Sequence, residues 1–256
     1  MPLISNSDFR PRFYFANPDL QTILASKLRK LDLPSYSRRR IHTPDGDFLD
    51  IDQVFSCENA PLVVMCHGLE GSSRSPYVRG MVRALSHQGY NIAVINFRGC
   101  SGTPNNKPFS YHSGSTSDLL HVINDLARIY DSIMLVGFSL GGNVILKLLG
   151  EMGSKIPPQL TAAVTISVPV DLKSSALRLG EWRNRIYMNR FLKMLRKKIA
   201  VKSALFPEAI STHNFEKIRN FEEFDGRYVA PFHGFQDARD YWHQCSALPF
   251  LSEIQI

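Results

Sequence analysis

Four short runs free of charged residues constrain this chain more than anything else in it: PLVVMC (61–66), NIAVINF (91–97), SIMLVGF (132–138) and LTAAVTISV (160–168). Each has strand length and is apolar on both alternating sets of positions. A strand reads that way when both of its faces are covered, as in a parallel sheet sandwiched by helices. Between the runs lie segments with helical spacing. PYVRGMVRALSHQGY (76–90) places Val78, Met81, Val82 and Leu85 on one face, and Gly89 suits its C-terminal end. TSDLLHVINDLARIY (116–130) has Thr116 or Ser117 as N-cap candidates, and GGNVILKLLGEM (141–152) continues the alternation. Upstream, RRIHTPDGDFLDIDQVF (39–55) reads as two strands around a Pro-Asp-Gly turn. Alternating strands and helices predict a doubly wound α/β fold, a mostly parallel sheet flanked by helices. Beyond Pro169 the regularity is lost. Residues 171–240 are rich in Arg, Lys and aromatics without a clear strand, and are read as a helical cap inserted over the carboxyl edge of the sheet, where such folds bind ligands.

The length, 256 residues, suits one α/β domain over 1–256. No apolar run reaches the 18 residues of a membrane span, and the N-terminus has no apolar stretch of signal-peptide length. Cys57, Cys66, Cys100 and Cys245 lie far apart, and no CxxC pair suggests zinc. Reduced thiols and a cytoplasmic location are the expectation. The net charge of +7 comes from residues 181–202, which hold eight Arg or Lys and one Glu; the remainder holds 22 of each sign. Nucleic-acid binding would have to rest on that segment alone, and is not expected. The segment reads as an amphipathic helix, with Met188, Phe191, Leu192, Leu195 and Ile199 on one stripe and Arg185, Arg190, Lys193, Arg196, Lys197 and Lys202 flanking it. Such a helix either packs on a core with a solvated basic face or touches an anionic membrane surface. The packed reading is preferred.

The chemistry centres on GFSLGG (137–142), a Gly-x-Ser-x-Gly turn entered by a strand and left by a helix. That is the context of a nucleophile elbow, with the strand predicted to end near Val136 and the helix to start near Leu140. The turn is tight, Gly137, Gly141 and Gly142 carry no Cβ to collide with it, and Ser139 would stand above the sheet at a helix N-terminus. VVMCHGLEGSS (63–73) places His67-Gly68 directly after a strand. A loop in that position supplies one oxyanion-hole N–H and the residue after the nucleophile the other, which assigns the N–H groups of Leu69 and Leu140. His67 is expected to shape the loop with Gly68 rather than act as the base. Arg98, His112 and Asp118, from NFRGCSGTPN and YHSGSTSD, could bond to one another and brace the pocket.

Taken together, HGLEGSSRSPY, NFRGCSG, YHSGSTSD, GFSLGGN, NPDLQTI and ARDYWHQCSALPFL resemble the YheT-like branch of the α/β-hydrolase superfamily over nearly the whole chain. The resemblance implies the α/β-hydrolase fold and hydrolysis of carboxylic esters, from small molecules or lipids, through an acyl-enzyme on Ser139. It implies no metal or organic cofactor. Eukaryotic relatives of that branch carry a membrane anchor, and this chain is more similar to the bacterial members. The branch places its triad acid in a DDP-like turn and its histidine in a later GGH-like segment, and neither motif occurs here. The expectation is therefore a chain without its last two strands, in which LTAAVTISV or a short piece beyond it forms an apolar edge. LPFLSEIQI (248–256) reads as the lead-in to the acid-bearing strand. His213, His233 and His243, with Asp225, Asp237 and Asp240, are the substitutes weighed for the missing partners, and they are expected not to reach Ser139. The alternative is a catalytically impaired relative that binds acyl ligands or a protein partner.

Overall fold

A computed structural model describes residues 7–11, 13–28, 31–32 and 34–256. Helix α1 (Pro18–Leu28) precedes the sheet. Strands β1 (Ser37–His42) and β2 (Phe48–Val54) pair antiparallel around the Pro-Asp-Gly turn, where Gly46 takes φ 79°. Then follow β3 (Leu62–Cys66), α2 (Pro76–His87), β4 (Asn91–Asn96), α3 (Thr116–Leu126), β5 (Ile133–Phe138), α4 (Leu140–Met152) and β6 (Leu160–Ile166). The four charge-free runs are β3, β4, β5 and β6. Across the sheet the order is β1, β2, β4, β3, β5, β6, with β4 to β6 parallel.

The covered faces explain the continuous apolar runs. Val63 and Met65 of β3 and Ile92 and Val94 of β4 pack against Val78 and Val82 of α2. Leu62, Val64 and Cys66 turn the other way, into a cluster with Leu119, Val122 and Ile123 of α3 and Val144 and Leu148 of α4. From β3 the chain crosses to β4 on one side, and β5 then lies on the other. The crevice beyond the carboxyl ends of β3 and β5 is thus the switch point at which such sheets take ligands.

Some local expectations shift. The elbow strand runs on to Phe138 rather than ending near Val136, because β5 stays paired with β6 up to Phe138 and Ile166. The N-cap of α3 is Ser115, not Thr116 or Ser117, and its hydroxyl accepts the N–H of His112 instead of a helix amide. Strand β6 forms the sheet edge, with Val164 exposed. Residues Leu248–Glu253, in the segment read as the lead-in to a further strand, form a 3-10 helix against α4, and a Cβ on Gly150 would meet the Phe250 carbonyl.

Residues beyond β6 are helical: α5 (Leu172–Gly180), α6 (Arg185–Leu205), α7 (Phe221–Tyr228), α8 (Ala230–His233) and α9 (Ala238–Cys245). They have their own apolar core, with Met188, Leu192, Leu195 and Ile199 of α6 packed among Phe215, Phe224, Tyr241 and Trp242. Helix α6 is the expected amphipathic helix, and Arg190, Lys193, Arg196 and Lys197 are exposed on it. One of the flanking cations departs from that face. Lys202 is buried and donates to the carbonyls of Asn105 and Lys107, because its register on α6 points it at the loop after β4.

Candidate active site

The β5–α4 turn is built by close backbone approach. A Cβ on Gly137 would lie 2.6 Å from Gly142 Cα, and one on Gly141 would lie 2.5 Å from the carbonyl oxygens of both Cys66 and His67. Only glycine lets α4 start this close to the end of β3. Between them Ser139 adopts φ 50° and ψ −119°, a backbone strain that an L-residue carries only when its surroundings enforce it. They do so here: the Ser139 N–H donates to Ile166 O at 2.9 Å, and its carbonyl accepts Asn143 N–H at 3.1 Å. Asn143 is fully buried and holds the neighbouring loops, donating to Ser113 O and Cys245 O and accepting from Ala247 N–H.

The loop after β3 comes alongside: a Cβ on Gly68 would sit 3.3 Å from Ser139 Cβ. Nearly every amide of this loop has an acceptor. Gly68 N–H donates to Tyr77 Oη, Glu70 N–H to Tyr111 Oη, Gly71 N–H to Gly68 O, Ser72 N–H to Ser75 Oγ and Ser73 N–H to Asn96 Oδ1. The N–H of Leu69 takes no acceptor among the described residues, and Leu140 N–H, first in α4, has no partner within its helix. Leu69, Ser139 and Leu140 line the same cavity. Two unclaimed amides beside a serine hydroxyl can hold a developing oxyanion.

His67 is fully buried with both ring nitrogens occupied. Nε2 accepts Phe97 N–H at 3.2 Å, so the proton is on Nδ1 and is donated to Gly68 O at 2.8 Å. Burial holds its pKa down at about 4. The ring ties the end of β4 to the loop after β3. Arg98 grips Asp118 with two bonds of 2.7 Å and also reaches Asp45 and Asp47, fastening the start of α3 to the β1–β2 turn. His112 stands outside this cluster, contrary to the expectation of a mutual bond. Its Nδ1 accepts Gly114 N–H at 3.1 Å, which turns the ring toward His233, 4.4 Å away between centroids, and not toward Arg98. Burial, then the neighbouring His233, keep His112 at about 3, and burial keeps His233 at about 4.

Ser139 Oγ has no hydrogen-bond partner among the described residues. His112 and His233 line its cavity, yet among the described residues neither is bonded to a carboxylate. His213 and His243 are exposed, and Asp237 is spent capping α9 through the N–H groups of Arg239 and Asp240. The cavity, about 160 Å³, opens between the strand ends and the helices, and is mostly apolar, with Leu172, Leu179, Phe191, Ile199, Phe221 and Phe232 among its walls.

Three further groups stand on this wall: Lys198, which the sequence did not single out; Lys202, expected only as a flanking cation of α6; and Asp225, weighed only as a substitute triad acid. Lys198 pairs with Glu70 at 2.6 Å and lies 3.1 Å from Cys100 Sγ, linking α6 to the loop after β3. The signal for Lys198 was weak but present, since it sits one residue before Ile199 of the apolar stripe.

Comparison with known proteins agrees with this architecture. A family model described as the alpha/beta hydrolase fold matches residues 61–228. The chain is 36% identical to the esterase-family protein YheT of Escherichia coli (strain K12), over 98% of this chain and 75% of that protein. It is 28% identical to the monoacylglycerol lipase of Saccharomyces cerevisiae, covering 49% of it, and 28% identical to human phospholipase ABHD3, covering 60%. The chain thus spans about half to three quarters of the length of these relatives. Among solved structures, the Pyrococcus furiosus esterase Pf2001 superposes with a TM-score of 0.52 at 20% identity, over 65% of this chain and 66% of that one. Among the described residues no helix is long and apolar enough to cross a membrane.

Proposed function

Because the chain belongs to the α/β-hydrolase fold family, in its YheT-like branch, we propose that it is a serine hydrolase of carboxylic esters with Ser139 as nucleophile. Ser139 Oγ attacks the acyl carbonyl, the N–H groups of Leu69 and Leu140 hold the oxyanion, the alcohol leaves, and water releases the acid from the acyl-enzyme. The helices over 171–240 act as a cap whose apolar wall receives the acyl chain. The ester and lipid activities in the names of the relatives support a small-molecule or lipid ester as substrate. The observation that carries the reading is the strained Ser139 backbone, φ 50°, beside the unclaimed Leu69 N–H.

The unbonded Ser139 hydroxyl favours a second reading, in which these residues bind acyl ligands without turnover. A serine hydroxyl without a base is a poor nucleophile. Chemical rescue separates the two. With p-nitrophenyl octanoate the 256-residue chain should turn over slowly, faster with added imidazole, and the gain above imidazole's own protein-free hydrolysis of the ester should vanish in Ser139→Ala. Saturable binding of octanoate with no Ser139-dependent rescue would favour the second reading.

A further inference from the structure

Asp225 is out of place in its surroundings. It sits on α7 between Phe221, Phe224 and Tyr228, and lines the apolar cavity shared with Ser139. One carboxyl oxygen, Oδ2, accepts the indole N–H of Trp242 at 2.7 Å. The other, Oδ1, takes no donor among the described residues; the side chain is half-buried and borders the cavity, so this oxygen is open to a donor that enters it. The other polar groups nearby are engaged. Tyr228 donates to Ser211 O and Tyr241 to Ser113 Oγ, Lys198 is paired with Glu70, and Lys202 is held by two carbonyls. Among the described residues no cation pairs with this carboxyl. Burial pushes its pKa up to about 7, against the lowering effect of the Trp242 bond.

We propose that Asp225 is a specificity-determining residue that receives a hydrogen-bond donor carried by the ligand, an amine or a hydroxyl on an otherwise aliphatic chain. The inference rests on the cavity being the substrate pocket of the proposed esterase, and it narrows the substrate class to donor-bearing esters. A charged amine gains most, since the carboxylate it meets is ionised by its arrival, and the aromatic rings beside it favour a cation. An acid of the same length meets a like charge.

The test is calorimetric titration of the 256-residue chain with octylamine, octanol and octanoate, which needs no catalysis and therefore stands apart from the esterase reading. Octylamine should bind about tenfold tighter than octanoate, with octanol between. Asp225→Asn can leave its oxygen on Trp242 and turn its NH₂ to the cavity, so the order should reverse in favour of octanoate. Trp242→Phe keeps the carboxyl and should keep the amine preference. Lys197→Met, on the exposed face of α6, should leave the whole series unchanged. Equal or tighter binding of octanoate by the wild type, absence of octylamine binding, or an amine preference that survives Asp225→Asn would each overturn the proposal.

Discussion

The two walls of the cavity are made by different means. The sheet wall, from the ends of β3 and β5, is set by backbone: glycines that permit 2.5–2.6 Å approaches, a serine at φ 50°, and a loop whose amides are nearly all claimed. The helical wall, α5 to α9, is set by side chains: aromatic packing around three ionisable groups held on carbonyls, on a carboxylate or on an indole. A backbone-built wall tolerates almost no added atom, while a side-chain-built wall answers to charge and pH. Substitutions should therefore divide along this line.

The largest effect is expected at Gly141→Ala, whose Cβ would meet two fixed backbone carbonyls. A loss of about 3 kcal/mol or more in urea unfolding is predicted. Gly226→Ala in α7 is its counterpart on the helical wall. That Cβ meets only Ala238 Cβ at 3.9 Å, and the change should raise stability by about 0.5–1 kcal/mol. Equal losses at the two glycines would erase the contrast.

Next is the pH response of Asp225. Its pKa rises from an unfolded value near 4 to about 7 in the folded chain, so between those limits the folded state holds more protons than the unfolded one. Its contribution therefore falls as pH rises from about 4 to 7. His67, His112 and His233, with lowered pKa values, act oppositely and lose stability as pH falls below about 6.5. The stability of Asp225→Asn relative to wild type should accordingly grow by roughly 3–4 kcal/mol from pH 4 to 7 in urea titrations. A constant difference would show that the Asp225 carboxyl is not desolvated in the folded chain.

Smaller again is Lys202→Met, which strips a donor from the Asn105 and Lys107 carbonyls and should cost about 2 kcal/mol. Smallest is Lys197→Met on the exposed face of the same helix, within about 0.5 kcal/mol. Similar losses at the two lysines would mean that α6 is rotated from its described register.

The same division decides what could be read from sequence. The strand-buried runs, the Gly-x-Ser-x-Gly turn and the His67-Gly68 loop are local patterns, because a strained turn or a doubly covered strand demands its residue types within a few positions. The helical wall is not local. Asp225 meets Trp242 across 17 residues, and Lys202 meets Asn105 across 97, contacts that no periodicity encodes. His112 was misjoined to Arg98 and Asp118 for the same reason. Its loop is near theirs in sequence, but the Gly114 amide fixes its ring toward His233.

The central claim, that the strained turn presents Ser139 as the nucleophile beside the Leu69 and Leu140 amides, is tested most directly with a fluorophosphonate. The reagent's phosphoryl oxygen occupies the place of the oxyanion, and mass spectrometry of the digested protein locates the adduct. The account predicts a single adduct on Ser139, formed faster with imidazole present and absent in Ser139→Ala. An adduct on any other residue, or none on Ser139 after prolonged incubation with imidazole, would contradict it.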